Sequence, residues 1–142
     1  MSGFSKYMVT TILNSTLRGV DFPKPTKVYA GLCIADPNVE VEGESSEITT
    51  DMSSSYKRID VTEEGDLLTA WTEPSEGSVS NTKLIRFDPI TGVNPITVTH
   101  IGIYDAPVGG NLLYYSAIQG SKLLDVGDVI GFQSGSLRVT VD

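Results

Sequence analysis

Short runs of apolar residues separated by turn formers follow one another along most of the chain, and the clearest pair lies at residues 97–116. Most positions of 97–104 are β-branched or aromatic, as in half-buried strands. The segment 105–111, Asp-Ala-Pro-Val-Gly-Gly-Asn, is rich in turn residues. The apolar run 112–115 then returns from this turn. The pattern predicts a β-hairpin around which the other strands are arranged.

The remaining apolar runs predict further short strands. Residues 27–34 show no polar alternation, which is typical of a strand covered on both faces and predicts a central position. Residues 137–141 alternate strictly, so this strand has one core face and one solvent face. Other strands are predicted at 56–61, 67–71, 79–87, 122–124 and 129–132, with turns at 63–66 and 119–120. The pattern favours an all-β fold, an antiparallel β-sandwich of jelly-roll-like type, in one domain over residues 1–142.

The N-terminal segment has a different period. Its apolar side chains recur at spacings of three and four and form one stripe: Phe4, Tyr7, Met8, Ile12, Leu13 and Leu17. This spacing predicts one short amphipathic helix over about residues 4–18, with Ser2 or Ser5 as N-cap and Arg18-Gly19 at its end. The stripe either covers one end of the sheets or docks on a partner chain. If it docks, the contact residues are Phe4, Tyr7, Met8 and Ile12.

Residues 36–55 form a long polar segment in which every charged residue is acidic. Loops of this length are either functional or mobile, and we interpret this one as a contact arm. Its candidate partner contacts are Glu40, Glu42 and Glu44. The start of the segment at Asp36 is similar to a calcium loop, but Val41 stands where such a loop needs glycine. We therefore expect a solvated loop and no metal site.

The net charge of −8 argues against a general nucleic-acid binder, because phosphate contacts need clustered Lys and Arg. The ten basic residues are scattered, and only Lys57 and Arg58 are adjacent. No apolar run approaches the ~20 residues that span a bilayer. The N-terminus also lacks the basic-then-apolar order of a signal peptide. We expect a protein that stays in the cytosol where it is made or is built into a larger particle there.

Candidate catalytic chemistry is sparse. His100 is the sole histidine and stands among apolar neighbours, and the sequence has no Gly-x-Ser-x-Gly elbow and no phosphate-binding Gly-rich loop. The lone Cys33 lies in an apolar run and is interpreted as a small core residue. A carboxylate pair for glycoside hydrolysis is defined by its separation in space, which the sequence neither shows nor excludes. A hydrolase is therefore kept as the least favoured alternative. The prediction is a protein that is not an enzyme and has no cofactor.

Several short motifs follow one another in an order that resembles a family of small tailed-bacteriophage virion proteins, labelled phage tail fibre or minor structural protein. The matching pieces cover nearly the whole chain: Leu17–Gly19, Tyr29–Pro37, Tyr56–Arg58, Ser80–Asn81, Val98–Asp105, Gly109–Tyr114, Ser121–Lys122, Gly127–Asp128 and Leu137–Asp142. The chain departs from the family pattern in its acidic segment 38–55 and in the turn at 63–66, which look longer than usual.

The resemblance implies a structural subunit of the virion, tail-fibre-like or a minor tail subunit, attached by contacts with other virion proteins. Decoration of the major capsid protein on the phage head is the alternative. Copies on a symmetric particle are expected to form a closed homo-oligomer, most often a trimer. A receptor- or carbohydrate-binding module is a further alternative, and its stacking platforms would be Trp71, Tyr104, Tyr114 and Tyr115.

Overall fold

The computed structural model describes residues 3–39, 42–62 and 66–141. In these residues the chain forms two helices and nine strands. In chain order they are β1 (Gly3–Phe4), α1 (Lys6–Arg18), β2 (Tyr29–Cys33), β3 (Ile59–Asp60), α2 (Leu67–Ala70), β4 (Ser78–Ser80), β5 (Ile85–Arg86), β6 (Ile96–Tyr104), β7 (Leu112–Leu124), β8 (Gly131–Phe132) and β9 (Arg138–Thr140). Neither helix is long and apolar enough to cross a membrane, within the part of the chain described here.

The largest sheet is five-stranded and antiparallel, with strand order β1-β7-β6-β2-β3. The predicted hairpin is its centre, since β6 and β7 pair over most of their length. The prediction of a central strand at 27–34 is also confirmed, because β2 lies between β6 and β3. Two small antiparallel sheets, β4–β9 and β5–β8, complete the fold. The predominantly β, antiparallel class is confirmed, and the jelly-roll-like sandwich stays a prediction.

The two faces of the large sheet have different compositions. Strand register pairs Ala30 with Ile103 and Leu32 with Ile101, so these four side chains share one face. All four are buried, and they belong to one apolar core with residues of the small sheets, among them Val139. The opposite face of the same strands carries Gly31, Cys33, Gly102 and Tyr104.

Helix α1 has the predicted capping residues Ser5 and Gly19, but it begins at Lys6 and not at residue 4, because Phe4 belongs to β1 and pairs with Tyr114 of β7. The Ser5 hydroxyl accepts a hydrogen bond from the Met8 N–H at 3.1 Å, which satisfies one of the free donors of the first turn. Gly19 adopts a left-handed backbone with φ +69°, and its N–H donates to the Asn14 carbonyl. The alternative cap, Ser2, lies outside the described residues.

Three strand predictions need correction. Residues 67–70 form the short helix α2, because the Asp66 side chain caps it by accepting from the Thr69 N–H at 3.1 Å. The predicted strand 56–61 is reduced to β3, and most of the predicted turn at 63–66 lies outside the described residues. The predicted strand 79–87 is two strands, β4 and β5, interrupted after Ser80.

The predicted turn at 119–120 is also wrong, because β7 continues through it to Leu124. Between Val98 and His100 of β6, the partners on β7 change from Lys122 to Ala117, so β7 carries extra residues there. Gly120 takes up this excess with φ +65°, a conformation that costs glycine little. The signal that suggested a turn therefore marks a shift of register within the β6–β7 pair.

The interruption between β4 and β5 is made by Asn81, which is 2% exposed. Its side-chain amide donates to the carbonyls of Lys83, Phe132 and Gln133 at 2.8, 3.3 and 3.0 Å. Its Oδ1 accepts from the Leu137 N–H at 2.9 Å. One buried side chain thus joins the two small sheets. Strand β4 ends at Ser80, directly before this side chain.

We expect Asn81→Ala to lower the free energy of unfolding by about 2–4 kcal/mol, because it leaves the buried Leu137 N–H and three part-buried carbonyls without their partner. Chemical denaturation followed by circular dichroism measures this. The control is Asn94→Ala at an exposed position, expected within about 0.5 kcal/mol of the parent. Equal stability of the two variants would contradict the role given to Asn81.

Candidate functional site

The four contact residues predicted in the N-terminal segment, of which Phe4 lies in β1 and the others in α1, pack on the chain's own core. Met8 is buried, and Phe4, Tyr7 and Ile12 are partly buried against the core. The ring of Phe4 lies 5.6 Å from that of Tyr114 between centroids. These four side chains therefore pack against the chain's own core, and their contact with a partner chain stays a prediction.

A second row of apolar side chains on α1 faces solvent instead. Val9, Leu13 and Leu17 follow one another at spacings of four and are 45%, 52% and 78% exposed. Between Lys6 and Arg18 the helix carries no charged residue. We call Val9, Leu13 and Leu17 the outer ridge of α1. The predicted stripe includes Leu13 and Leu17 together with the core residues, and it does not include Val9.

The C-terminal part of the acidic segment 36–55 is hydrogen-bonded to the chain along β2. The Ile34 N–H donates to the Ser46 carbonyl at 2.7 Å, and the Ile48 N–H donates to the Leu32 carbonyl at 3.0 Å. Of the predicted contact residues, Glu42 and Glu44 are exposed, and Glu40 lies outside the described residues. This bonding brings Glu47, which was not among the predicted contacts, over the sheet.

Glu47 and Arg58 form the centre of a polar network on this second face. The Arg58 Nε donates to Glu47 Oε2 and its Nη2 donates to Oε1, both at 2.9 Å, so the pair is bidentate. The Tyr56 hydroxyl donates to Glu47 Oε2 at 2.5 Å and accepts from the Leu32 N–H at 3.0 Å. The two charged side chains are only 9% and 18% exposed, so the pair is largely removed from water.

Arg58 also holds the loop of the central hairpin. Its Nη1 donates to the carbonyls of Ala106 and Gly109, each at 2.8 Å. The guanidinium lies 3.6 Å from the centroid of the Tyr104 ring, a cation–π contact. One side chain therefore connects the acidic segment, the entry to β3 and the hairpin loop.

Two paired glycines make room for the Tyr104 ring. Gly31 and Gly102 face each other in the β2–β6 register. A Cβ on Gly102 would lie 2.7 Å from the Tyr104 ring, and one on Gly31 would lie 2.7 Å from Glu47 Oε2 and 2.9 Å from the ring. A side chain at either position would displace the network, so the sequence needs glycine at both.

Cys33 is fully buried beside this network, as predicted for a small core residue. Its Sγ lies 3.4 Å from the Tyr104 hydroxyl. Burial raises the pKa of the thiol from 9.0 to about 12. Burial likewise raises the pKa of Tyr56 and of Tyr104 far above the ordinary value, so these hydroxyls stay protonated. The side chains of Cys33, Tyr56 and Tyr104 thus all have hydrogen-bond partners and have a structural role.

The four aromatic platform candidates are separated by the fold. Trp71 and Tyr114 line one apolar groove of about 440 Å³, between the large sheet and β4–β9. Tyr104 is buried on the other face under Arg58, and Tyr115, next to Tyr114 in a strand, points away from the groove. The proposed set of four therefore does not form one binding surface.

His100 is the register partner of Cys33 in the β2–β6 pairing. His100 Nδ1 is hydrogen-bonded to the hydroxyl of Thr99 at 2.8 Å. Within residues 3–39, 42–62 and 66–141, no group of three or more His, Cys, Asp or Glu side chains is placed to hold a metal ion.

The comparison with known families agrees with the motif order in the sequence. A family model described as "Podophage GP4 fiber I protein gp80" matches residues 3–140. The chain belongs to this family of phage fibre proteins, and the resemblance to tailed-phage virion proteins is confirmed. The family supports a structural, tail-fibre role in the virion. No curated protein matches the sequence.

The motif residues that suggested the family gather in the network just described. Gly31, Arg58, Gly102, Tyr104 and Gly109 come from four separate motifs and meet at one place on the sheet. The pattern thus reflects the bonds that hold the hairpin loop and the acidic segment. Sequence reasoning missed this because the residues are up to 78 positions apart (31 to 109).

We expect Arg58→Lys to destabilise the protein by about 2–4 kcal/mol, because lysine cannot reproduce the bidentate pair and the two carbonyl bonds together. Chemical denaturation measures the effect. Arg86→Lys, at an exposed position of β5, is the matched control and should change stability by less than about 0.5 kcal/mol. Unchanged stability of the Arg58 variant would show that the network contributes little.

We expect Cys33 to react with iodoacetamide at pH 8.5 only after unfolding, since burial both shields the thiol and raises its pKa. The folded state holds the thiol protonated while the unfolded chain ionises near 9.0, so stability should also fall as the pH rises from 9.0 towards about 12. Mass spectrometry of labelled native and denatured samples measures the first effect. Equal labelling rates in both samples would contradict the assignment.

Proposed function

We propose that this chain is a non-enzymatic structural subunit of a phage tail fibre that attaches to other virion proteins through apolar contacts. The observation that carries the proposal is the family match over residues 3–140. The hydrogen bonds of the buried ionisable side chains on the second face of the large sheet also support the proposal. Glu47, Arg58 and Tyr56 are engaged with each other and with backbone groups, so they fasten loops to the sheet.

The outer ridge of α1 is the attachment surface that we propose. A surface helix usually carries charged residues opposite its core-facing stripe. Helix α1 instead has an apolar row on the solvent side, and residues 7–17 carry no charge. Depletion of charged residues is the compositional mark of the buried centre of a protein–protein interface. The outer ridge therefore has the composition of a helix surface that another protein covers in the assembled particle.

The family, whose printed description is a fibre protein, supports the proposed location on the tail. The exposed acidic side chains Glu42 and Glu44 lie on the segment whose first part contacts the start of α1, where the Lys6 N–H donates to Asn38 Oδ1 at 3.0 Å. Contact by this segment would add charge-dependent steering to the apolar attachment.

We expect Leu13→Glu to reduce incorporation into phage particles by at least tenfold, because it places a charge in the proposed interface while glutamate still favours the helix. Purified particles from a phage carrying the altered gene are analysed by quantitative mass spectrometry. Val126→Glu, at another exposed apolar position (60% exposed), is the control and should incorporate normally.

Antibody labelling of the protein on intact particles from the same preparation tests whether it lies on the tail. Antibody–gold particles on the tail of the unaltered phage would support the fibre role, and labelling of the head would overturn it in favour of capsid decoration. Normal incorporation of the Leu13 variant would overturn the outer ridge as the attachment surface without affecting the location.

A further inference from the structure

Residues 3–18, which comprise β1 and α1, contact the rest of the chain through directional bonds and a buried side chain, and we call them the N-terminal arm. Strand β1 pairs with β7, and the Ser5 N–H donates to the Leu113 carbonyl at 2.9 Å. Met8 of α1 is buried in the core. We call the part of the sheet that binds the arm, centred on residues 113–115 of β7, the arm site. Its contacts are specific for the sequence of the arm.

The segment that joins the arm to β2 is loosely connected to the rest of the protein. Residues 20–26, which we call the linker, form no helix or strand, and nearly all of them are exposed. Within the described chain their backbone hydrogen bonds are local: the Val20 N–H donates to the Asn14 carbonyl at 3.1 Å, and the Lys24 N–H donates to the Phe22 carbonyl at 2.8 Å. Seven extended residues span up to about 25 Å, more than the ~20 Å length of α1. The linker can therefore reach an arm site on a neighbouring molecule.

Two prolines determine the preferred shape of the linker. Pro23 and Pro25 fix their own φ near −65° and move the residue before each of them towards extended backbone. In the single chain the linker is bent at Pro23, where the Lys24 N–H reaches the Phe22 carbonyl. Straightening the linker gives up this one local bond. An arm that moves to the arm site of a second copy regains all of its contacts, because the two sites are identical, and such an exchange is a low-cost route to a dimer.

The linker sequence is complementary to itself when two copies run antiparallel. A two-fold axis between residues 22 and 23 places an acid opposite a base and apolar side chains opposite each other: Asp21 faces Lys24 of the second copy, Val20 faces Pro25, and Phe22 faces Pro23. Val20 and Phe22 are 49% and 40% exposed in the single chain, and this contact would cover them. Exchange of the arms brings the two linkers together, because each linker then crosses from one molecule to the other.

We propose that two copies of this chain exchange their N-terminal arms, so that β1 and α1 of each copy occupy the arm site of the other. The arm contacts are those of the single chain, and the paired linkers add a new contact. The arrangement is isologous and closes as a dimer, whereas particle symmetry led us to expect a trimer. This inference concerns the purified chain and does not depend on the attachment surface proposed for α1.

A disulfide across the arm site distinguishes an exchanged arm from one bound to its own chain. Gly3 and Tyr115 are register partners on β1 and β7. Oxidised in the folded state, Gly3→Cys/Tyr115→Cys should run in denaturing, non-reducing electrophoresis as a linked dimer of twice 15.2 kDa. The control, Ser80→Cys/Arg138→Cys, joins the paired strands β4 and β9 and should stay at 15.2 kDa. An oxidised Gly3/Tyr115 variant that also stays at 15.2 kDa would overturn the exchange.

Charge reversal in the linker tests the contact between the two linkers. In analytical ultracentrifugation at low ionic strength the unaltered full-length chain should sediment as a dimer. Asp21→Lys should raise the dissociation constant about tenfold, because it replaces two attractive pairs by two repulsive ones. Asp21→Lys/Lys24→Asp reverses both members of each pair and should restore the constant of the parent.

Asp51→Lys changes the net charge by the same amount at another exposed position and is the matched control, expected to dimerise like the parent. Circular dichroism verifies that each variant is folded. A parent that is monomeric at its highest soluble concentration would overturn the proposal. An Asp21 variant as tightly dimeric as the parent, or a double variant as weak as the Asp21 variant, would overturn it as well.

Discussion

The bidentate pair between Arg58 and Glu47 is the interaction on which the second face of the large sheet depends. A guanidinium that is 9% exposed would be costly to bury unless its donors were satisfied. Here the carboxylate takes two donor nitrogens, two loop carbonyls share the third, and the Tyr104 ring covers one face of the plane. The pair thereby fixes three segments that are distant in sequence.

The same network explains the composition of strands β2 and β6. Their core face carries aliphatic side chains, as any half-buried strand would. Their other face is occupied by Tyr104 and by the Glu47 carboxylate, which leaves space only for hydrogen atoms at Gly31 and Gly102. The glycines weaken the strands individually, and the pairing of both strands within a five-stranded sheet compensates for this.

The ionisable side chains buried around Arg58 are hydrogen-bonded to each other and to backbone groups, and Cys33 is held as a neutral thiol. Several aliphatic side chains are exposed, on α1 and, at Val108, in the loop between β6 and β7. A fibre protein needs surfaces for neighbouring chains, and both features are consistent with the family to which the chain belongs.

The sequence alone determined the elements whose signals are local. The period of α1 and its capping residues, the alternation at 137–141 and the turn residues of the central hairpin depend on neighbours within a few positions, so they could be predicted. The motif order also indicated the family. Tertiary structure decided what those motifs do, because Asn81, Glu47 and Arg58 acquire their partners only when distant segments meet. It also decided which side of α1 is covered: the sequence shows that apolar residues recur, but the packing of the sheet determines which of them, Met8 or Leu13, lies against the core.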